Sequence, residues 1–140
     1  MIGSSKKKIG IFGGSFDPPH QGHLKISKIA INKLSLNELY WCVTKKNPFK
    51  NKTFYSLTQR IRKSKLLTAK VIKIKIKNFE NKIKSNSTID LIKYLIKKNK
   101  KNKFFLIIGS DNLISLHKWK NWKLLTKLVK IVVFSRKDYD

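Results

Sequence analysis

The stretch "GIFGGSFDPPHQGH", residues 10 to 23, decides how the rest of the chain is read. It leaves an apolar run, turns through Gly13 and Gly14, crosses Pro18 and Pro19, and at once presents His20 and His23 three positions apart. The run that feeds it, "KKIGIFG" at 7 to 13, is short, β-forming and ended by glycine, which predicts a buried strand. Gly13 and Gly14 remove the Cβ atoms that would hold a phosphate off the backbone, so the amides after them can point at an anion. The prolines stiffen the crossing and fix where the next helix begins. His20 and His23 then fall one helical turn apart at the start of that helix, where the positive end of the helix dipole also favours phosphate.

Other uses of this stretch fit less well. There is no G-x-x-x-x-G-K-[ST], and "GIFGGS" lacks the G-x-G-x-x-G spacing of dinucleotide-binding loops. A zinc site would need ligands beyond the pair, and only Asp17 and the distant His117 are on offer, so no metal is assigned to it. Helix capping alone does not call for glycines, an aromatic, an aspartate, prolines and H-x-G-H within fourteen residues.

Working outward, "HLKISKIAINKL" places Leu24, Ile26, Ile29, Ala30, Ile31 and Leu34 at helical spacing. "ELYWCVT" at 38 to 44 reads as a second strand. "SLTQRIRKSKLL" reads as a helix with Ser56 at its N-cap, and "VIKIKIK" at 71 to 77 alternates like a strand with one lysine-covered face. "STIDLIKYLIKK" at 87 to 98 carries an apolar face of Ile89, Ile92, Leu95 and Ile96. "KFFLIIGSD" ends another strand on glycine, "WKNWKLLTKL" is helical, and "KIVVFS" at 130 to 135 is a last strand. Strands alternating with helices of this length predict an α/β fold: a Rossmann-like, doubly wound parallel sheet of about five strands with helices on both faces. Its ligand site belongs at the carboxyl ends of the strands, where the first motif lies.

Composition sets the frame. A chain of 140 residues is one domain's worth, read as a single domain over 1 to 140. No apolar run approaches the roughly 20 residues that cross a bilayer, and "MIGSSKKKIG" lacks the apolar core of a secretory signal, so the expected location is the cytoplasm with no membrane partner. Cys42, alone in "LYWCV", reads as a small buried hydrophobe. The net charge of +26 would suit a nucleic-acid binder, but only Arg60, Arg62 and Arg136 are arginine and the lysines are scattered over every segment. Solvated lysine from an AT-rich codon usage accounts for that pattern, and no specific nucleic acid is expected; the field would still draw small anionic substrates.

"GGSFDPPHQGH" resembles the signature of the H-x-G-H nucleotidyltransferases, and the rest of the chain is similar to their nicotinate-nucleotide adenylyltransferase branch. "NPFK" at 47 to 50 resembles an N-P-x-K loop. "STID" at 87 to 90 resembles a Y-T-x-D segment with Ser87 in place of tyrosine, "IIGSDNLISLHKWKNW" a G-x-D and tryptophan stretch, and "SRKDY" at 135 to 139 an arginine-containing turn. The phosphopantetheine branch usually carries T-x-G-H at the first motif, and cytidylyl-transferring relatives generally lack the tryptophan segment.

The resemblance implies adenylyl transfer from ATP to nicotinate mononucleotide, giving nicotinic acid adenine dinucleotide and pyrophosphate in NAD biosynthesis. It implies that His20 and His23 donate to the α-phosphate, with Gly13, Gly14, Ser15 and Phe16 forming the cradle. It puts Lys50 and Arg136 near the phosphates, Mg²⁺ with the ATP, Gly109 and Asp111 at the adenosine end, and Thr88 and Trp119 at the nicotinate ring. The family's late S-S/T-x-x-R motif finds no match at a strand-to-helix junction before the sequence stops at "RKDYD", so the expectation is either a fragment or a domain lacking its C-terminal strand and helix, with a weakened grip on triphosphate. The alternatives are a related H-x-G-H enzyme with another phosphorylated acceptor, a nucleotide-binding remnant with little turnover, and a basic nucleic-acid-binding protein.

Overall fold

The computed structural model describes residues 6–45 and 52–135. Lys50 with the rest of "NPFK", and Arg136 with the rest of its turn after Ser135, lie outside the described residues.

Five strands form one parallel sheet: β1 (Lys8–Gly14), β2 (Glu38–Val43), β3 (Ile74–Lys77), β4 (Lys103–Gly109) and β5 (Lys130–Phe134), in the spatial order β3-β2-β1-β4-β5. The connecting helices are α1 (Gln21–Leu34), α2 (Leu57–Leu67), α3 (Glu80–Ile83), α4 (Thr88–Lys98), α5 (Ser110–Ser115) and α6 (Trp122–Leu128), with a 3₁₀ turn at Leu116–Lys118. Alternation along the strands divides the core in two. Trp41, Val43, Phe105 and Ile107 join α1 residues Leu24, Ile26, Ala30 and Ile31 on one face. Ile9, Ile11, Cys42, Phe104, Leu106 and Ile108 join α4 residues Ile89, Ile92 and Leu95 and α6 Leu125 on the other. The doubly wound architecture read from the sequence is the one found, and Cys42 is buried with its thiol pushed up to about 12 by desolvation.

β1 is central. It pairs with β2 on one side (Phe12 opposite Trp41) and with β4 on the other (Phe12 opposite Ile107). The chain winds one way from β1 to β2 and β3, then returns past β1 to β4 and β5, so the strand order reverses between β1 and β4. Their carboxyl ends, at Gly14 and Gly109, therefore flank the crevice in which open α/β sheets bind ligands.

Two boundaries differ from the sequence reading by three residues each. β3 begins at Ile74 instead of Val71, because its partner β2 offers pairing positions only from Leu39 onward and Ile72 turns out to solvent at 82% exposure. The last helix spans Trp122–Leu128, not 119–128, because the 3₁₀ turn closes at Trp119 with extended backbone (φ −75°, ψ 145°) and Asn121 is left-handed (φ 52°).

Candidate active site

The first motif leaves β1 and enters α1 through a loop whose unusual residue is Phe16, left-handed at φ 48°. None of the described glycines has positive φ; Gly13 contributes room instead, since a Cβ there would meet nothing nearer than Cys42 O at 4.0 Å. Phe16 is 2% exposed, and its ring stacks on Trp41 at 4.7 Å between centroids. Packing a whole phenyl ring into the core offsets the strain of that backbone.

His20 is the N-cap of α1 and His23 its third residue. They fill the two halves of a capping box made of imidazoles. His20 Nδ1 accepts from Gly22 N at 3.1 Å, and His23 Nδ1 accepts from His20 N at 3.0 Å. A nitrogen that accepts a hydrogen bond carries no proton, so in each neutral ring the proton is on Nε2. Both rings are thereby fixed as Nε2–H donors, and they stack on each other at 3.8 Å.

His23 is walled by Phe12, Phe16 and Trp41, at centroid distances of 5.9, 4.8 and 5.9 Å. Burial, with His20 beside it, lowers its pKa to about 4, so the ring is neutral at pH 7. Its backbone is held in turn: His23 O accepts from Ser27 Oγ, which accepts from Trp41 Nε1, each at 2.8 Å. Asp17 accepts from the backbone N–H groups of Phe54 and Tyr55, the latter at 2.8 Å, which ties the motif to the entrance of α2.

The other residues singled out from sequence sit on the carboxyl side of the sheet. Gly109 ends β4 and is the N-cap of α5, and Asp111 lies in the first turn of that helix. Thr88 opens α4, whose N-cap is Ser87. Trp119 closes the 3₁₀ turn and packs partly against the second core. These last two segments are joined by Asp90. Its Oδ2 accepts from Ser85 Oγ at 2.6 Å, Ser87 Oγ at 2.7 Å and Lys120 Nζ at 3.1 Å, and these bonds hold its pKa down to about 2. Ser87, the departure from the usual tyrosine, thus serves as both cap and carboxylate partner. A cavity of about 290 Å³ lined by Ile9, Tyr40, Phe79, Leu95 and Phe104 lies toward the amino ends of β1 and β4, and none of the motif residues line it. Chemistry, not cavity size, marks the site.

A parallel sheet with a glycine turn at its switch point, followed by two imidazoles over a helix start, defines an α/β domain with its candidate site at the carboxyl ends of β1 and β4. Residues 11–139 match the family described as cytidylyltransferase-like. The curated probable nicotinate-nucleotide adenylyltransferase of Pelagibacter ubique is 48% identical over 138 residues, 99% of this chain and 76% of that protein; its namesake in Nitratiruptor is 40% identical over 133 residues, 94% and 75%. A solved Vibrio parahaemolyticus protein named as a nicotinate-nucleotide adenylyltransferase shares the fold at TM-score 0.79 and 16% identity, covering 94% of this chain and 75% of its own. The Plasmodium falciparum nicotinic acid mononucleotide adenylyltransferase complexed with NaAD gives 0.68 and 19%, covering 92% and 75%. The chain belongs to the nicotinate-nucleotide adenylyltransferase family.

Proposed function

We propose that this chain transfers the adenylyl group of ATP to nicotinate mononucleotide, forming nicotinic acid adenine dinucleotide and releasing pyrophosphate. A phosphate oxygen of the mononucleotide attacks the α-phosphorus of ATP in line; that P–O bond forms as the bond to the β-phosphate oxygen breaks. The attacking oxygen is ionised at neutral pH, so no general base is required and the work reduces to positioning and neutralising charge. His20 and His23 each present one Nε2–H to the α-phosphate oxygens, and the capping bonds on Nδ1 keep both rings in that tautomer throughout. The amides of Gly14, Ser15 and Phe16 line the cradle below them. Lys50 and Arg136 serve the phosphates, Asp111 beside Gly109 serves the adenosine, and Thr88 and Trp119 hold the nicotinate ring, an indole face suiting a flat pyridinium. ATP would be taken as its Mg²⁺ complex, the ion supplying positive charge to the polyphosphate.

The observation that carries this reading is the pair of imidazoles fixed as Nε2–H donors at the switch point of a chain 48% identical to a named relative. The family match is to the broad cytidylyltransferase-like description, which makes another phosphorylated acceptor the second reading. One assay separates them. The chain is given Mg²⁺-ATP with nicotinate mononucleotide, nicotinamide mononucleotide or phosphopantetheine, and pyrophosphate release is followed beside chromatography of the dinucleotide. Fastest turnover with nicotinate mononucleotide is expected; pyrophosphate release only with another acceptor overturns the assignment.

A further inference from the structure

Arg60 lies on the inner side of α2 and is 1% exposed. Arginine is rarely buried to this degree, and a buried guanidinium loses its hydration. Here its donors go to main-chain carbonyls of three separate segments. Nη1 donates to Ser15 O at 2.7 Å and Thr44 O at 2.6 Å, Nη2 to Lys45 O at 2.5 Å, and Nε to Tyr55 O at 3.0 Å. Ser15 belongs to the phosphate loop, Thr44 and Lys45 follow β2, and Tyr55 precedes α2. A neutral side chain could fill the same space, but it could not bond four oxygens or leave a positive charge there.

We propose that Arg60 is the positioning residue of the phosphate cradle: it fixes the direction of the Ser15–Phe16 amide and supplies positive potential beneath the site that receives the polyphosphate. The peptide is planar and trans, so with its C=O drawn down to the guanidinium, its N–H points away from the buried side. The left-handed turn at Phe16 then sets that amide beside its neighbours, an arrangement suited to anions. Two further ties hold the residues around this grip in place. Glu80 accepts from Lys45 N at 2.6 Å, and Asp17 accepts from Phe54 N and Tyr55 N. Arg60 bonds the same two places, through Lys45 O and Tyr55 O. Arginine's planar fork is what reaches all four acceptors; lysine carries the charge but is a single point donor.

The inference rests on the functional reading above, and its test keeps the two apart. Arg60→Met, Arg60→Lys and Leu36→Ala are compared with the wild-type chain at a temperature where circular dichroism shows each folded. Leu36 is 1% exposed but precedes β2, at the amino end of the sheet, so its truncation destabilises without touching the cradle. Calorimetric titration with pyrophosphate is paired with steady-state kinetics on both substrates. Arg60→Met is expected to weaken pyrophosphate and raise KM for ATP tenfold or more, with KM for nicotinate mononucleotide within twofold of wild type. Arg60→Lys should fall between, at threefold or more, and Leu36→Ala should lower Tm with both KM values unchanged. A folded Arg60→Met with wild-type pyrophosphate affinity overturns the proposal; where that variant does not fold, wild-type affinity in Arg60→Lys does so. A wild-type chain that binds pyrophosphate but forms no dinucleotide sinks only the adenylyl-transfer reading, and Arg60 is then judged on affinity; one that binds no pyrophosphate sinks both.

Discussion

Acidification tests the environment of His23 most directly. The ring is walled by Phe12, Phe16 and Trp41, and burial with the adjacent His20 lowers its pKa from 6.5 to about 4. Above pH 6.5 both folded and unfolded chains hold the ring neutral, and its contribution to stability is fully present. Between pH 6.5 and about 4 the unfolded chain binds a proton that the folded chain refuses, so stability falls as pH falls. At 1.36 kcal/mol per pKa unit the loss reaches about 3 kcal/mol near pH 4. Urea unfolding from pH 4 to 8 measures it, with His23→Gln as the reference. Glutamine at the third helical position still accepts from the N-cap amide, so that variant keeps the capping box and loses the titration. Subtracting the two curves removes the carboxylates, which titrate in both. Imidazole nitrogen shifts in an NMR titration report the same event and show which nitrogen holds the proton. Superimposable stability curves, or a His23 that titrates near 6.5, would refute the picture of a ring kept neutral by its walls.

Three further outcomes are expected. His20→Ala should lower kcat about a hundredfold through loss of one Nε2–H donor, and helix stability by about 1 kcal/mol through loss of the cap, read by kinetics and by urea melts; an unchanged kcat in the folded variant would remove His20 from the chemistry. Trp119→Ala should raise KM for nicotinate mononucleotide far more than KM for ATP, because the proposed stacking on the indole face would serve one substrate; equal rises accompanied by a lower Tm would assign the residue to the core. Gly10→Ala puts a methyl 2.8 Å from Leu36 Cδ1 and 3.2 Å from Ile107 Cδ1, and should destabilise by about 1–3 kcal/mol in denaturant melts without altering KM; wild-type stability would mean that those side chains yield freely.

Much of the fold was legible because its signals are local. Ile9, Ile11, Leu106 and Ile108 announce central strands by their own apolar runs, Ser56 announces a helix start, and the spacing of Ile89, Ile92 and Leu95 announces the buried face of α4. The start of β3 was not legible, since Ile72, Ile74 and Ile76 alternate with lysines without a break and only the register with Leu39 limits pairing to Ile74 and beyond. In the site, the histidine pair and glycine turn could be read from residue type and spacing. Their capping bonds could not, because histidine is not among the usual caps and the tautomers depend on backbone geometry. Arg60 was hidden for a deeper reason: its partners are carbonyls, which every residue has, brought from Ser15, Thr44, Lys45 and Tyr55 by the tertiary fold. Phe16 gave no sign of a left-handed backbone, a conformation that aromatic residues seldom adopt.

Because position 20 is an N-cap with extended backbone (φ −146°, ψ 175°), two demands on it are separable in descent. The helix needs only a short side-chain acceptor there, which threonine, serine, asparagine or aspartate supplies; the proposed contact with the α-phosphate would need the imidazole's far nitrogen. A lineage that moved to a different acceptor could therefore exchange histidine for threonine at this place by way of asparagine, itself a cap, and keep α1 anchored while it retuned the chemistry. The T-x-G-H of the phosphopantetheine branch is the substitution that this reasoning permits, whereas position 23, enclosed by three aromatic rings, offers no such inexpensive exchange.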